Sequence, residues 1–288
     1  MFATVLGRLP RPTGATDDEA AGRAVLAAQE AAGLEPLTDA GFGGAASVVD
    51  AWSLAASSTS RAVKATLTGP YTLARRGGGA ASPLDRAEAV RAHVLALADA
   101  GCPLIEIDEP EAVAIVDSES ERTLFRDAHR RLADGIETTH LSLVLTGGNI
   151  DTAGAATIFD APYHSYAFDL IAGPDNWRLI AVAPGDRGIV CGALSAAPRS
   201  HDGPEVLVWA AHYAASTRGR GLARVGLANV PGLDRLDWDA ARTKLDRLGE
   251  AARIAAGATP EQIARAFDPR AVDPRSAALG GSTPRPRR

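Results

Sequence analysis

The residues best suited to chemistry gather at the ends of short apolar runs. Leu104-Ile105-Glu106-Ile107-Asp108-Glu109-Pro110 is a β-branched stretch that closes on carboxylates and a proline. An unpaired carboxylate is costly to bury, so carboxylates clustered at a strand end point to a site rather than to core packing. Other apolar runs end in a similar way, with Asp39, Thr68, Asp169, Cys191 and Asn229 at their tips and His140 and Ser142 along another run. Carboxylates can hold a cationic group or exchange protons, while His, Asp and Cys are the donor types of a zinc site.

These runs recur with a rhythm. Apolar segments at 3–7, 34–39, 63–68, 104–108, 139–144, 163–170, 188–194 and 223–229 read as strands, with helical patterns between most of them. Asp17-Asp18-Glu19 supplies negative charge at the start of a helix that Gly33 stops. Ser82-Pro83 starts another, with Leu84, Ala87, Val90, Val94 and Leu97 at helical spacing. Further helices are expected over 120–135 and 239–255. Eight strand–helix units predict an α/β fold, a (β/α)8 TIM barrel, whose chemistry lies at the strand C-terminal ends. No GxGxxG follows the first strand, which argues against an open nucleotide-binding sheet. Residues 1–270 are expected to form one barrel domain, and the Pro- and Arg-rich stretch 271–288 a disordered tail.

Composition narrows the function classes. A formal charge of −5 gives no electrostatic case for nucleic acid or an anionic membrane. No apolar run approaches a membrane span, and the N-terminus lacks a secretory signal. With only Cys102 and Cys191, a disulfide framework is not expected, and the reducing cytoplasm is the expected compartment. The expected partner is a small-molecule substrate, with the oligomeric state left open.

Several tips resemble a known family. Lys64-Ala65-Thr66-Leu67-Thr68-Gly69-Pro70 resembles the LTGP segment of cobalamin-independent methionine synthase, and Ile107-Asp108-Glu109-Pro110 its IDEP segment. Gln29-Glu30-Ala31-Ala32-Gly33-Leu34-Glu35, followed by Leu37-Thr38-Asp39, resembles the helix and second strand of its C-terminal catalytic domain. Uroporphyrinogen decarboxylases share the broader superfamily. The resemblance implies a zinc-bound thiolate that accepts a methyl group from methyltetrahydrofolate or another donor. By the same resemblance Asp108 holds the substrate's amino group, with Glu109, Asp39 and Thr68 as further substrate-binding residues.

The metal half of the family pattern is altered. His140-Leu141-Ser142 stands where the family has His-x-Cys, Asp169 where it has Glu, and Asn229-Val230-Pro231-Gly232 where its strand-eight Cys is expected. Ala193 replaces its strand-seven His and Gly41 its second-strand Glu. The resemblance therefore implies a methionine synthase-like methyltransferase with an altered or lost zinc site. His140 and Asp169 are then the catalytic candidates, and His140, Asp169 and Cys191 the metal candidates.

Simpler readings compete. Asp108 and Glu109 can pair with Lys64 or Arg8, Ser142 is a small interior residue, and Cys102 and Cys191 are core. Tyr163, His164, Tyr166 and Phe168 pack or stack on a flat ligand, while His93, His129 and His212 are surface or packing residues on helices. His201-Asp202 lies in a loop that would cover the pocket. Two other functions remain, a cofactor-free decarboxylase or lyase and a non-catalytic ligand-binding barrel.

Overall fold

Seven short parallel strands among the described residues carry the architecture. In this computed structural model, residues 1–39, 41–42, 47–78, 81–198, 200 and 203–257 are described. The strands are β1 (Phe2–Thr4), β2 (Ala65–Thr68), β3 (Leu104–Asp108), β4 (His140–Leu145), β5 (Ser165–Asp169), β6 (Gly188–Leu194) and β7 (Val225–Asn229). They form one curled sheet in the order β1-β7-β6-β5-β4-β3-β2. The helices are α1 (Asp18–Ala32), α2 (Val48–Ser57), α3 (Pro70–Arg76), α4 (Pro83–Asp99), α5 (Glu119–Ala133), α6 (Ala155–Ile158), α7 (Trp177–Val182), α8 (Pro204–Ser216) and α9 (Trp238–Gly257).

The expected eighth strand, at 34–39, is not a strand. Its place between β1 and β2 is held by two isolated bridges, Ala3 with Glu35 and Leu37 with Val63. Glu35 N–H donates to Ala3 O (2.9 Å), Leu37 N–H to Ala62 O (2.8 Å) and Lys64 N–H to Leu37 O (2.9 Å). Pro36 at the centre of this strap has no N–H to give to a ladder, which limits the pairing to single bridges. The tail 271–288 and the pair His201-Asp202 lie outside the described residues. No described helix is long and apolar enough to cross a membrane.

Local signals explain the helix limits. Asp17 caps α1 by accepting from Ala20 N–H, and Gly33 ends it in the left-handed conformation at φ 79°. A capping box between Ser82 and Asp85, with Pro83 at the first turn, starts α4. The helix α3, which begins on Pro70 of the LTGP segment, had no periodic signal, and its start is stabilised from elsewhere in the chain.

Strand alternation divides the interior in two. Ile105, Ile107, Leu141, Leu143, Tyr166, Phe168, Ile189, Cys191 and Leu227 face the helices and join the main core. Leu6, Val144, Ala167, Val190 and Ala228 form a separate cluster on the opposite, concave face. The strand aromatics therefore pack outward. Tyr166 and Phe168 both meet Phe159 edge-on, at 4.8 and 6.4 Å between ring centroids.

Candidate functional site at the strand C-terminal ends

The concave face is polar at β2 and β3. Lys64, Thr66 and Thr68 alternate with outward residues on one strand, Glu106 and Asp108 on its neighbour, and register pairs Thr66 with Glu106 and Thr68 with Asp108. Lys64 Nζ donates to Glu106 Oε1 (2.6 Å) and to Val5 O (2.6 Å). The pair is buried, with side chains 1% and 4% exposed. Burial pushes the Lys64 ammonium down from its ordinary value, and the Glu106 carboxylate pulls it back up. Thr66 Oγ1 donates to the other Glu106 oxygen at 3.2 Å.

Asp108 sits one layer above this pair, at the very end of β3. It is half-buried, and its Oδ1 is a buried oxygen with no hydrogen-bond partner. Burial, then the Glu106 and Glu109 carboxylates, push its acid up to about 7, against the weaker pull of Arg76 and Lys64. Thr68, its register partner, is exposed beside it. A half-buried carboxylate with an unused oxygen next to an exposed hydroxyl is poised to receive a cation or a hydrogen-bond donor.

Glu109 does different work. It is fully buried and turned away from Asp108, with Oε1 accepting from Tyr71 N–H (2.9 Å) and Oε2 from Thr72 N–H (2.7 Å) and Thr72 Oγ1 (2.5 Å). These donors are the first turn of α3, so a distant carboxylate serves as the cap that the helix lacks in its own sequence. His129 Nε2 lies 3.1 Å from Oε1, and His129 Nδ1 shares a hydrogen bond of 2.7 Å with Tyr163 Oη. A Cβ at Gly69 would collide with the Glu109 carboxylate, which accounts for the glycine of the LTGP segment. Glu109 is thus a pin between strand end and helix rather than a substrate ligand. Glu109→Gln is expected to lower the unfolding free energy by about 1–3 kcal/mol, by orphaning part of this donor set. Urea denaturation checks the loss, and amide exchange at Tyr71 and Thr72 should quicken; an unchanged midpoint would contradict the pin.

The other expected site residues are scattered. Both oxygens of Asp169 are taken by backbone: Oδ1 accepts from Ile171 N–H (2.9 Å) and Ala172 N–H (2.8 Å), and Oδ2 from Gly147 N–H (3.3 Å). That carboxylate ties the turn after β5 to the turn after β4. Asp39 accepts from Gly41 N–H (3.1 Å) and lines a cleft between α1 and α2. His140 begins β4 instead of ending it, four residues below Val144, the register partner of Asp108. At about 3.3 Å per residue that is ~13 Å from the strand C-terminal ends. Cys191 points into the helical layer, its Sγ 3.7 Å from Ala210 O, and burial pushes its thiol up to about 12.

Two further residues of the site, Lys64 and Glu106, were not singled out as its members. Their signal was present in the alternation of Lys64-Thr66-Thr68 and Glu106-Asp108, which puts all five on one face.

Residues 23–150 match the family model described as the catalytic domain of cobalamin-independent synthase. The matched segment contains both β2 and β3, and hence the Lys64, Glu106 and Asp108 cluster. Over these residues, under half of the chain, the sequence is similar to that catalytic domain. The fold agrees. A B12-independent methionine synthase from Shewanella sp. W3-18-1, solved in complex with selenomethionine, superposes with a TM-score of 0.74 over 88% of this chain and 97% of its own, at 14% identity. A putative vitamin-B12 independent methionine synthase from Listeria monocytogenes gives a TM-score of 0.68 at 14% identity, over 89% and 97% of the two chains. A methyltransferase from Methanosarcina mazei gives 0.51 at 16% identity, over 70% and 63%. No curated protein matches the sequence.

Zinc is the metal that cobalamin-independent methionine synthase would imply, and the residues present do not fit it. His140, Asp169 and Cys191 are not brought together: one lies at the far end of its strand, one spends both oxygens on backbone, and one is a buried, protonated thiol facing the helices. Among the described residues no three His, Cys, Asp or Glu side chains group as a metal site.

Proposed function

We propose that this chain is a methionine synthase-like methyltransferase whose Asp108 holds the ammonium group of an amino-acid methyl acceptor. The observation that carries the reading is the unpartnered, half-buried Asp108 oxygen at a strand C-terminal end, within the segment that matches the family. Thr68 lies alongside as a second polar contact. The Shewanella relative was solved with selenomethionine, a methionine analogue, which supports an amino acid as the ligand class. The acceptor is a homocysteine-like thiol and the donor a folate-type methyl carrier, as the family resemblance implies. The chain's own contribution is to bind and orient the acceptor, with Lys64 and Glu106 fixing the layer on which Asp108 stands.

Calorimetric titration with L-homocysteine and L-methionine tests the reading. Asp108 must ionise to pair with an ammonium group, so affinity should rise about tenfold per pH unit from about pH 5 toward about 7 and then level off. Asp108→Asn should abolish binding. Affinity that is flat across this range, or that survives in Asp108→Asn, would overturn the clamp. A radiolabelled methyl-transfer assay addresses turnover; binding without turnover would favour a ligand-binding barrel, the reading that the missing zinc donors support.

A further inference from the structure

The opposite end of the sheet holds a cavity that the mouth chemistry does not use. It measures about 540 Å³ and opens among the strand N-terminal ends, within the range of small-ligand sites. Part of its space follows from the sequence: Gly188 and Ser165 begin β6 and β5, and Ala62 precedes β2, so these three positions of the layer carry small side chains. Phe2, Pro36, Pro103 and Leu104 give it flat apolar walls.

Polar groups converge in its depth. His140 Nε2 and Ser165 Oγ share a hydrogen bond of 2.8 Å, and the His164 ring lies against His140 at 5.1 Å between centroids. His164 Nδ1 accepts from Leu141 N–H (3.0 Å), which leaves Nε2 as the proton-bearing nitrogen. Burial, then His164, pushes the His140 imidazole down to about 4, so the ring is neutral at physiological pH. Neutral imidazoles with a hydroxyl offer both donors and acceptors, but no charge.

The rim supplies the charge. Glu35 lies 3.5 Å from Arg61 and Asp186 lies 3.6 Å from Arg187, so each rim carboxylate already faces a cation. Arg224 is exposed on the rim; its backbone N–H donates to Gly221 O (3.3 Å), while its guanidinium makes no hydrogen bond or ion pair with the described residues. Arg187 is held in place by its own donation to Tyr163 O (3.1 Å) and by Arg220 Nε, which donates to Arg187 O (2.9 Å). The net free charge at the rim is therefore positive.

We infer that this cavity is a second ligand site, for a small aromatic or heteroaromatic carboxylate. The carboxylate meets the Arg224 guanidinium, with Arg187 beside it. The ring lies against Phe2 and Leu104, and a polar ring substituent reaches the His140–Ser165 pair. The site is separated by the length of the strands from Asp108 and does not depend on the methyltransferase reading.

The test uses the intact chain and 4-hydroxybenzoate as probe, with 4-hydroxybenzamide as its uncharged counterpart. Isothermal titration should show saturable binding of the carboxylate, and at least about tenfold weaker binding of the amide, the loss of one charge-assisted contact. The imidazole proton resonances of His140 and His164 should shift with saturation. Arg224→Glu, an exposed substitution that leaves the fold intact, should weaken the carboxylate at least about tenfold, as like charge replaces its partner. Asp108→Asn, at the other end, should bind the probe as the wild type does. No saturation by the wild type, equal binding in Arg224→Glu, or loss of probe binding in Asp108→Asn would each overturn the assignment. Because Asp108→Asn separates the two ends, failure here and failure of the mouth site are distinguishable.

Discussion

Asp108→Asn will stabilise the protein at about pH 8, on the order of 4 kcal/mol, and leave it unchanged at about pH 4. The sign follows from where the proton sits. In the folded chain the Asp108 acid is pushed up to about 7, while in the unfolded chain it keeps its ordinary value of 3.8. Between those values the folded state binds the proton and the unfolded state does not, so stability falls as pH rises from about 4 to about 7. Above about 7 the full cost of a buried, crowded carboxylate is present, and an amide of the same shape removes it. Urea unfolding of both proteins at the two pH values measures the difference. A variant that is equally stable or weaker at about pH 8 would show that the carboxylate is not strained. Together with the expected loss of ligand affinity, the result would mark a residue kept for binding at the expense of stability.

The second large effect lies one layer below. Lys64→Met leaves the Glu106 carboxylate buried with only the Thr66 hydroxyl, and is expected to cost about 3–5 kcal/mol at neutral pH. The double variant Lys64→Met/Glu106→Leu should recover most of that loss, because removing both charges also removes both desolvation costs. Thermal and urea denaturation of the two singles and the double give the coupling directly. Additive losses would mean that the two side chains do not act as a pair.

Much of the fold was legible because it rests on local signals. The Asp17 cap and Gly33 stop bracket α1 in the sequence as in the structure, and the Ser82-Pro83 start of α4 is equally plain. Strand alternation was legible too, since Ile105 and Ile107 fall to one face and Glu106 and Asp108 to the other. What failed depended on distance along the chain. The apolar run 34–39 looks like a strand, but Pro36 reduces it to two bridges. The helix α3 is capped by Glu109, far from it in sequence, so neither the helix nor the true role of Glu109 could be read locally.

The structure sets Asp108 beside Thr68, as the two matching segments suggested, and does not bring the three metal candidates together. His140 belongs to the right strand, but the strand starts with it, and a shift of a few residues exchanges one end of the sheet for the other. Cys191 fell to the outward face by the same alternation that put Val190 on the inner one. His129, expected as a surface or packing residue, is a packing one, wholly buried against Glu109 and Tyr163.

The strap at residues 35–39 runs from one end of the sheet to the other. Glu35 and Pro36 border the lower cavity, Leu37 joins the strap to the segment that continues into β2, and Thr38 leads toward the upper rim, where Gln29 Nε2 fastens Thr38 O at 2.8 Å. Elsewhere neighbouring strands are laced along several residues, but here three backbone bonds are joined by side-chain contacts, among them Thr4 Oγ1 donating to Pro36 O (2.7 Å) and Ala62 N–H donating to Glu35 Oε1 (3.2 Å). Where the other strands close on one another by ladder bonds, this seam is closed largely by side chains that reach across it.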